Sequence, residues 1–78
     1  MKLELVIPEG NFISKECKSV SLPGTEGVIE VMVGHEAMIV QLNRGSILID
    51  GDEEIEISAG FAVIDEKSCR ILVDKVKK

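Results

Sequence analysis

The feature that most limits what this chain can fold into is its apolar period, which is two residues wherever a period can be read. Ile55 and Ile57 alternate with Glu54, Glu56 and Ser58 directly after Asp50-Gly51. A spacing of two sends successive side chains to opposite faces of an extended backbone, and an Asp-Gly pair before it is a strong hairpin signal. The same spacing recurs in Leu3, Leu5 and Ile7, in Val20 and Leu22, and in the row Ile29, Val31 and Val33. Met38, Val40 and Leu42 follow, then Ile47 and Ile49 after the Asn43-Arg44-Gly45 turn. Phe61 with Val63, and Cys69 with Ile71 and Val73, supply the last two rows. No segment between turns sustains a 3.6-residue stripe, so no helix is expected.

Short strands between regular turns point to an all-β fold, a small antiparallel β-sandwich of two sheets forming one domain over residues 1–78. A chain of 78 residues has room for a single core, and at this size only about 60% of the unfolded surface is removed from water. Phe12 and Phe61 are the only aromatic residues, so Val, Ile and Leu must fill the interior.

Charge and composition exclude several function classes. Nine Lys and Arg against fourteen Asp and Glu give a net charge of −5, which repels phosphate backbones, and there are no aromatic platforms for bases. Lys75, Lys77 and Lys78 form a short terminal cluster that reads as a solvated end. No apolar run approaches the roughly 18 residues of a membrane-spanning helix, and the start lacks the pattern of a secretory signal. Cys17 and Cys69 are too few and too far apart in sequence for a zinc site and read as reduced structural thiols.

Sites for chemistry are equally weak. His35 is the only histidine, without companions for a metal or an evident partner for base catalysis. Asp50, Asp52, Glu53, Glu54 and Glu56 lack the spacing of a calcium loop and read as a solvated hairpin tip. A swinging-arm carrier domain would need a lysine at position 39, which is Ile39. A cupin-like enzyme would need several histidines. No catalytic residue, metal site or cofactor is therefore expected. A general protein-interaction sandwich, unrelated to any larger machine, fits the same strands and charge.

The order of turn motifs separates these readings. Leu22-Pro23-Gly24-Thr25-Glu26-Gly27 runs into Val28-Ile29-Glu30-Val31-Met32-Val33-Gly34-His35, with Pro8-Glu9-Gly10 upstream, and Ala59-Gly60-Phe61 and Ile71-Leu72-Val73-Asp74 downstream. Together these resemble the amino-terminal β-sandwich of the epsilon subunit of F-type ATP synthases, in register from Leu3-Glu4-Leu5 to Asp74.

The resemblance implies a non-catalytic central-stalk subunit of a proton-translocating rotor. Its partners would be the gamma subunit and the ring of c subunits, within a larger complex held peripherally on the cytoplasmic face of a bacterial inner membrane. It places Glu26, Gly27, Val28, Ile29 and Glu30 on the c-ring side, and Gly34, His35, Met38, Val40 and Leu42 on the gamma side. Val28 stands where the family often has an acidic residue; either Glu26 or Glu30 compensates, or the contact here is more apolar. Glu30 stands where many relatives have glycine. Such subunits usually continue into a carboxy-terminal pair of helices. Only Lys75 to Lys78 follow the last expected strand, so the expectation is a subunit reduced to its sandwich.

Overall fold

Alternation of the kind seen in the sequence produces a two-faced ribbon that must cover its apolar face, and the chain does so by closing two layers over one core. A computed structural model describes residues 1–77; Lys78, the last of the terminal lysines, lies outside the described residues. The strands are β1 (Lys2–Ile7), β2 (Gly10–Glu16), β3 (Ser19–Gly24), β4 (Gly27–Met32) and β5 (Met38–Leu42). They continue with β6 (Gly45–Ile49), β7 (Glu53–Ile57), β8 (Gly60–Ile64), β9 (Ser68–Val73) and β10 (Val76–Lys77). Rather than two separate sheets, the described residues form one curled ten-stranded sheet, in the order β10-β7-β6-β3-β5-β8-β9-β1-β2 with β4 on β3, whose two layers are β10-β7-β6-β3-β4 and β5-β8-β9-β1-β2. The pair Gly24↔Leu42 joins them.

That join has a local cause. β5 and β6 are successive strands separated only by Asn43 and Arg44, and both lie antiparallel to β3 along the same edge. The Asn43 amide donates to the Pro23 carbonyl at 2.8 Å and the Thr25 amide to the Gln41 carbonyl at 3.0 Å. The chain thus bends from one layer into the other while staying tied to β3. Gly45 sits in this bend against Pro23, where an added Cβ would lie 3.1 Å from the proline Cβ.

The core holds Leu3, Leu5, Val20, Leu22, Val31, Ile47, Ile49, Ile55, Ile57, Cys69 and Ile71, all buried as their alternation predicts. No polar or charged residue is buried with them among the described residues. Interior packing therefore comes almost wholly from branched aliphatic side chains, each of which stabilises the fold by about 1.5–3 kcal/mol through removal from water.

Four further features differ from the sequence expectation. The ladder between β1 and β9 is parallel, with Leu3 opposite Cys69 and Leu5 opposite Ile71, so the sandwich is antiparallel except at this pair. In β8 the inward row is Ala62 and Ile64, whereas Phe61 and Val63 face outward. Val33 is exposed rather than continuing its row inward. β2 and β10, which carry no clear apolar row, are additional edge strands.

Candidate functional site

The segment from Glu26 to Glu30 forms the tip and first half of the β3–β4 hairpin. Gly24 pairs with Gly27 across a turn made by Thr25 and Glu26. Gly27 has φ 129, a region that L side chains rarely adopt, so glycine is needed to start β4 at this angle. Glu26, Val28 and Glu30 are exposed, Val28 at 79%. Ile29 instead turns its side chain inward and packs against the core. The tip thus offers two carboxylates flanking one bare valine.

Gly34 and His35 lie beyond the far end of β4. β4 has 6 residues and is about 20 Å long at about 3.3 Å per residue, so the turn at Glu26 lies about a strand length from this loop, whereas Glu30 is only four positions from Gly34. The Gly34 amide donates to the Glu66 carbonyl at 2.9 Å, tying this loop to the β8–β9 turn, and the His35 amide donates to the Met32 carbonyl at 3.1 Å. His35 Nδ1 donates to the Glu36 carbonyl at 2.8 Å, a bond that occupies the imidazole locally. Met38 is at the surface. Val40 and Leu42, by contrast, are 7% and 1% exposed and belong to the core. Their alternation places them inward, so the surface of β5 is made by Met38, Ile39 and Gln41 instead.

A broader surface escaped the sequence reading. On the outer side of the β5-β8-β9-β1 layer, Ile39 pairs with Val63, Phe61 with Leu72, and Leu72 with Val6. Ile39 is 71% and Phe61 51% exposed, and Val63 and Leu72 are also exposed. Beside them the Arg70 Nη2 donates to Glu4 Oε1 at 3.0 Å, closing one margin of the patch with an ion pair. The outer side of the other layer carries Ser21, Glu30, Ser46, Glu54 and Glu56 around Leu48, with Val28 and Met32 exposed on β4 at its margin. The first outer face is therefore the more apolar and the second the more acidic. Four exposed apolar side chains thus adjoin one another on the first side of the sheet. The signal was present in unbroken runs such as Phe61-Ala62-Val63-Ile64 and Arg70-Ile71-Leu72-Val73, where alternation with polar residues fails.

The remaining candidate residues have structural roles. Asp50, with φ 53, accepts bonds on Oδ1 from the amides of Lys18 at 2.7 Å and Ser19 at 3.1 Å. These amides hold its carboxyl below the usual carboxylate range. Glu53 accepts from Lys15 Nζ at 2.8 Å, joining β7 of one layer to β2 of the other. The acidic hairpin is thus divided among separate partners rather than converging on one point. Cys17 and Cys69 are both buried free thiols, and burial pushes Cys69 up to about 12.

Residues 1–78 match the family described as ATP synthase, delta/epsilon chain, beta-sandwich domain. The ATP synthase epsilon chain of Aliarcobacter butzleri is 38% identical over 77 residues, covering 95% of this chain and 62% of that protein. Its counterpart in Helicobacter pylori is 40% identical, covering 95% and 63%. The chain therefore spans a little under two thirds of the length of these relatives. Among solved structures, a chain of the Tetrahymena thermophila mitochondrial ATP synthase central stalk and c-ring superposes with a TM-score of 0.84 at 15% identity, covering all of this chain and 66% of that one. A chain of the Euglena gracilis mitochondrial ATP synthase gives 0.87 at 22%, covering 96% and 51%. With the family matched along its whole length, the chain belongs to the β-sandwich domain family of ATP synthase delta/epsilon chains.

Proposed function

We propose that this chain acts as a non-catalytic central-stalk subunit of a proton-translocating F-type ATP synthase, coupling the gamma subunit to the c ring. The observation that carries the reading is the apolar outer face built from Ile39, Phe61, Val63 and Leu72. Such a face suits a permanent neighbour, whereas a freely diffusing domain would gain by keeping it polar. Family membership supports the identity of that neighbour as gamma. On this reading the gamma contact comprises Met38 and Ile39 with the outer residues of β8 and β9, beside Gly34 and His35. Val40 and Leu42 support it from beneath.

The hairpin tip from Glu26 to Glu30 meets the c ring. Val28 gives that contact an apolar centre, and Glu26 and Glu30 supply its charge. Residues 1–77 work as one unit with one core, peripheral to the membrane on the cytoplasmic face. Torque passes through a close-packed sandwich because twisting it would disrupt many ladder hydrogen bonds and the aliphatic core together. The function is mechanical: the β3–β4 hairpin tip and the outer face of β5, β8 and β9 are held in a fixed relation by one packed core.

The test is calorimetric titration of the chain into its cognate gamma-containing catalytic head. Val63→Glu places a charge in the apolar face and is expected to weaken binding about thirtyfold or more, the range of a central interface residue. Glu54→Gln on the acidic face should bind as the parent does. Binding unaffected by Val63→Glu, or no binding by a well-folded parent chain, would remove this assignment.

A further inference from the structure

The free edge of β4 stands apart from the other strand edges. β2 is bent by a register shift between Leu5 and Val6 of its partner strand and carries Lys15 and Glu16. β10 has only two residues. β5 has its outer side taken near Gln41 and Leu42 by bonds and pairing to the β3 end. β4 has 6 residues, Gly27–Met32, and pairs with β3 alone. It contains no proline, lysine, arginine or register shift, so the usual devices that protect an edge are missing apart from one charge, Glu30.

The direction of its backbone groups follows from the ladder. The carbonyls of Pro23 and Ser19 accept from Asn43 and Asp50, on the side of β3 away from β4. In antiparallel pairing, residues alternate between those that exchange hydrogen bonds with their partner and those whose groups point away. Pro23↔Val28, Ser21↔Glu30 and Ser19↔Met32 are therefore the non-bonded pairs. Val28, Glu30 and Met32 direct their amides outward, and so do the carbonyls of Val28 and Glu30. The Met32 carbonyl is already used by the His35 amide. The same three residues carry exposed side chains, ordered apolar, acidic, apolar.

We infer that β4 is a strand-addition site, taking an extended segment of a partner protein with a basic residue between two apolar ones. Backbone donors and acceptors supply the pairing, and alternate side chains supply the selectivity. The basic residue lies opposite Glu30, which has no ion-pair partner among the described residues. Two copies of this chain pairing through β4, centred on Glu30, would set two carboxylates against each other; the charge that attracts a basic strand thus discourages self-pairing. The inference stands on the edge geometry and is independent of gamma binding; it shares Val28 and Glu30 with the proposed c-ring contact, so an added strand and the c ring compete for this end of β4.

The probe is a blocked heptapeptide, Thr-Val-Thr-Lys-Thr-Val-Thr, titrated into the isotope-labelled chain and followed by amide shifts and hydrogen exchange. The expected result is slowed exchange at Val28, Glu30 and Met32, with binding about tenfold tighter than for the same peptide with Glu in place of Lys. Glu30→Pro deletes one outward amide without touching the β3 ladder, and should lower binding at least tenfold while far-UV circular dichroism stays unchanged. Glu30→Lys should invert the preference between the two peptides, which tests the site even if the proline variant folds poorly. Equal binding of both peptides by the parent, shifts confined to other strands, or concentration-dependent dimerisation through β4 without peptide binding would each overturn the inference.

Discussion

Gly60→Ala isolates a single atom whose cost can be worked from the structure. Gly60 opens β8 and lies opposite Val73 of β9. A Cβ added there would collide with the Leu72 carbonyl oxygen and lie 2.8 Å from Val73 Cγ1. Because the first clash is with backbone, no side-chain rotation relieves it, and β8 must move from β9 by more than an ångström. That movement strains the core contacts of Ala62 and Ile64, an overpacking cost of about 1–3 kcal/mol. It also weakens one or two ladder bonds at about 1 kcal/mol each. The expected loss is about 3 kcal/mol, a large share of the roughly 4–12 kcal/mol available to a domain of this size. The chain has no Trp or Tyr, so the transition is followed by far-UV circular dichroism. The midpoint should fall by about 12–24 °C, at about 4–8 °C per kcal/mol. Gly51→Ala is the control: its φ is 75 and nothing lies within 4 Å of the added Cβ, so only backbone strain of about 1–2 kcal/mol opposes it. Should Gly60→Ala lose less than Gly51→Ala, the steric argument is refuted.

Two titration outcomes follow from the same structure. The Asp50 carboxyl is held low by the amides of Lys18 and Ser19, and the Asp65 carboxyl by the amides of Lys67 and Ser68. Their contribution is present above the unfolded carboxylate value of about 3.9 and is lost as pH falls through the lower folded values. Asp50→Asn with Asp65→Asn should therefore flatten the acid limb of stability against pH; an unchanged limb would show that other groups control it. For Cys69, burial raises the thiol to about 12. Its contribution is complete below the unfolded value of about 8.5 and declines as pH rises toward the folded one. Alkylation at pH 8 should accordingly be slow in the folded chain and fast in urea; rapid labelling under native conditions would contradict the buried placement.

How much was legible follows from where a polar residue marks the outer face. Glu54 and Glu56 fix the parity of β7, and Ser19 and Ser21 that of β3, so Ile55, Ile57, Val20 and Leu22 could be placed inward from sequence alone. In β8 both parities are apolar, so the row Phe61 and Val63 read from the sequence has no polar neighbour to fix which way it faces. The structure turns that row outward because Ala62 and Ile64 meet the core opposite Ile71 and Cys69. Shifting a strand by one residue exchanges its faces, and a run with no polar residue does not resist that shift locally. Val40 and Leu42 show the complementary case: their alternation was read correctly, yet the family resemblance placed the same residues at a partner surface that their burial denies.

The sequence by itself determined the all-β class, the turns, most of the core and the family, because each depends on neighbours within a few residues or on the order of short motifs. Only the tertiary structure decided the parallel β1·β9 pairing, the bend of β5 into β6 around β3, and the gathering of Ile39, Phe61, Val63 and Leu72 on one outer face. Those features join residues as distant in sequence as Leu3 and Cys69. A local period carries no information about which strand will lie beside another; that choice is made when the whole apolar surface is closed over a single core.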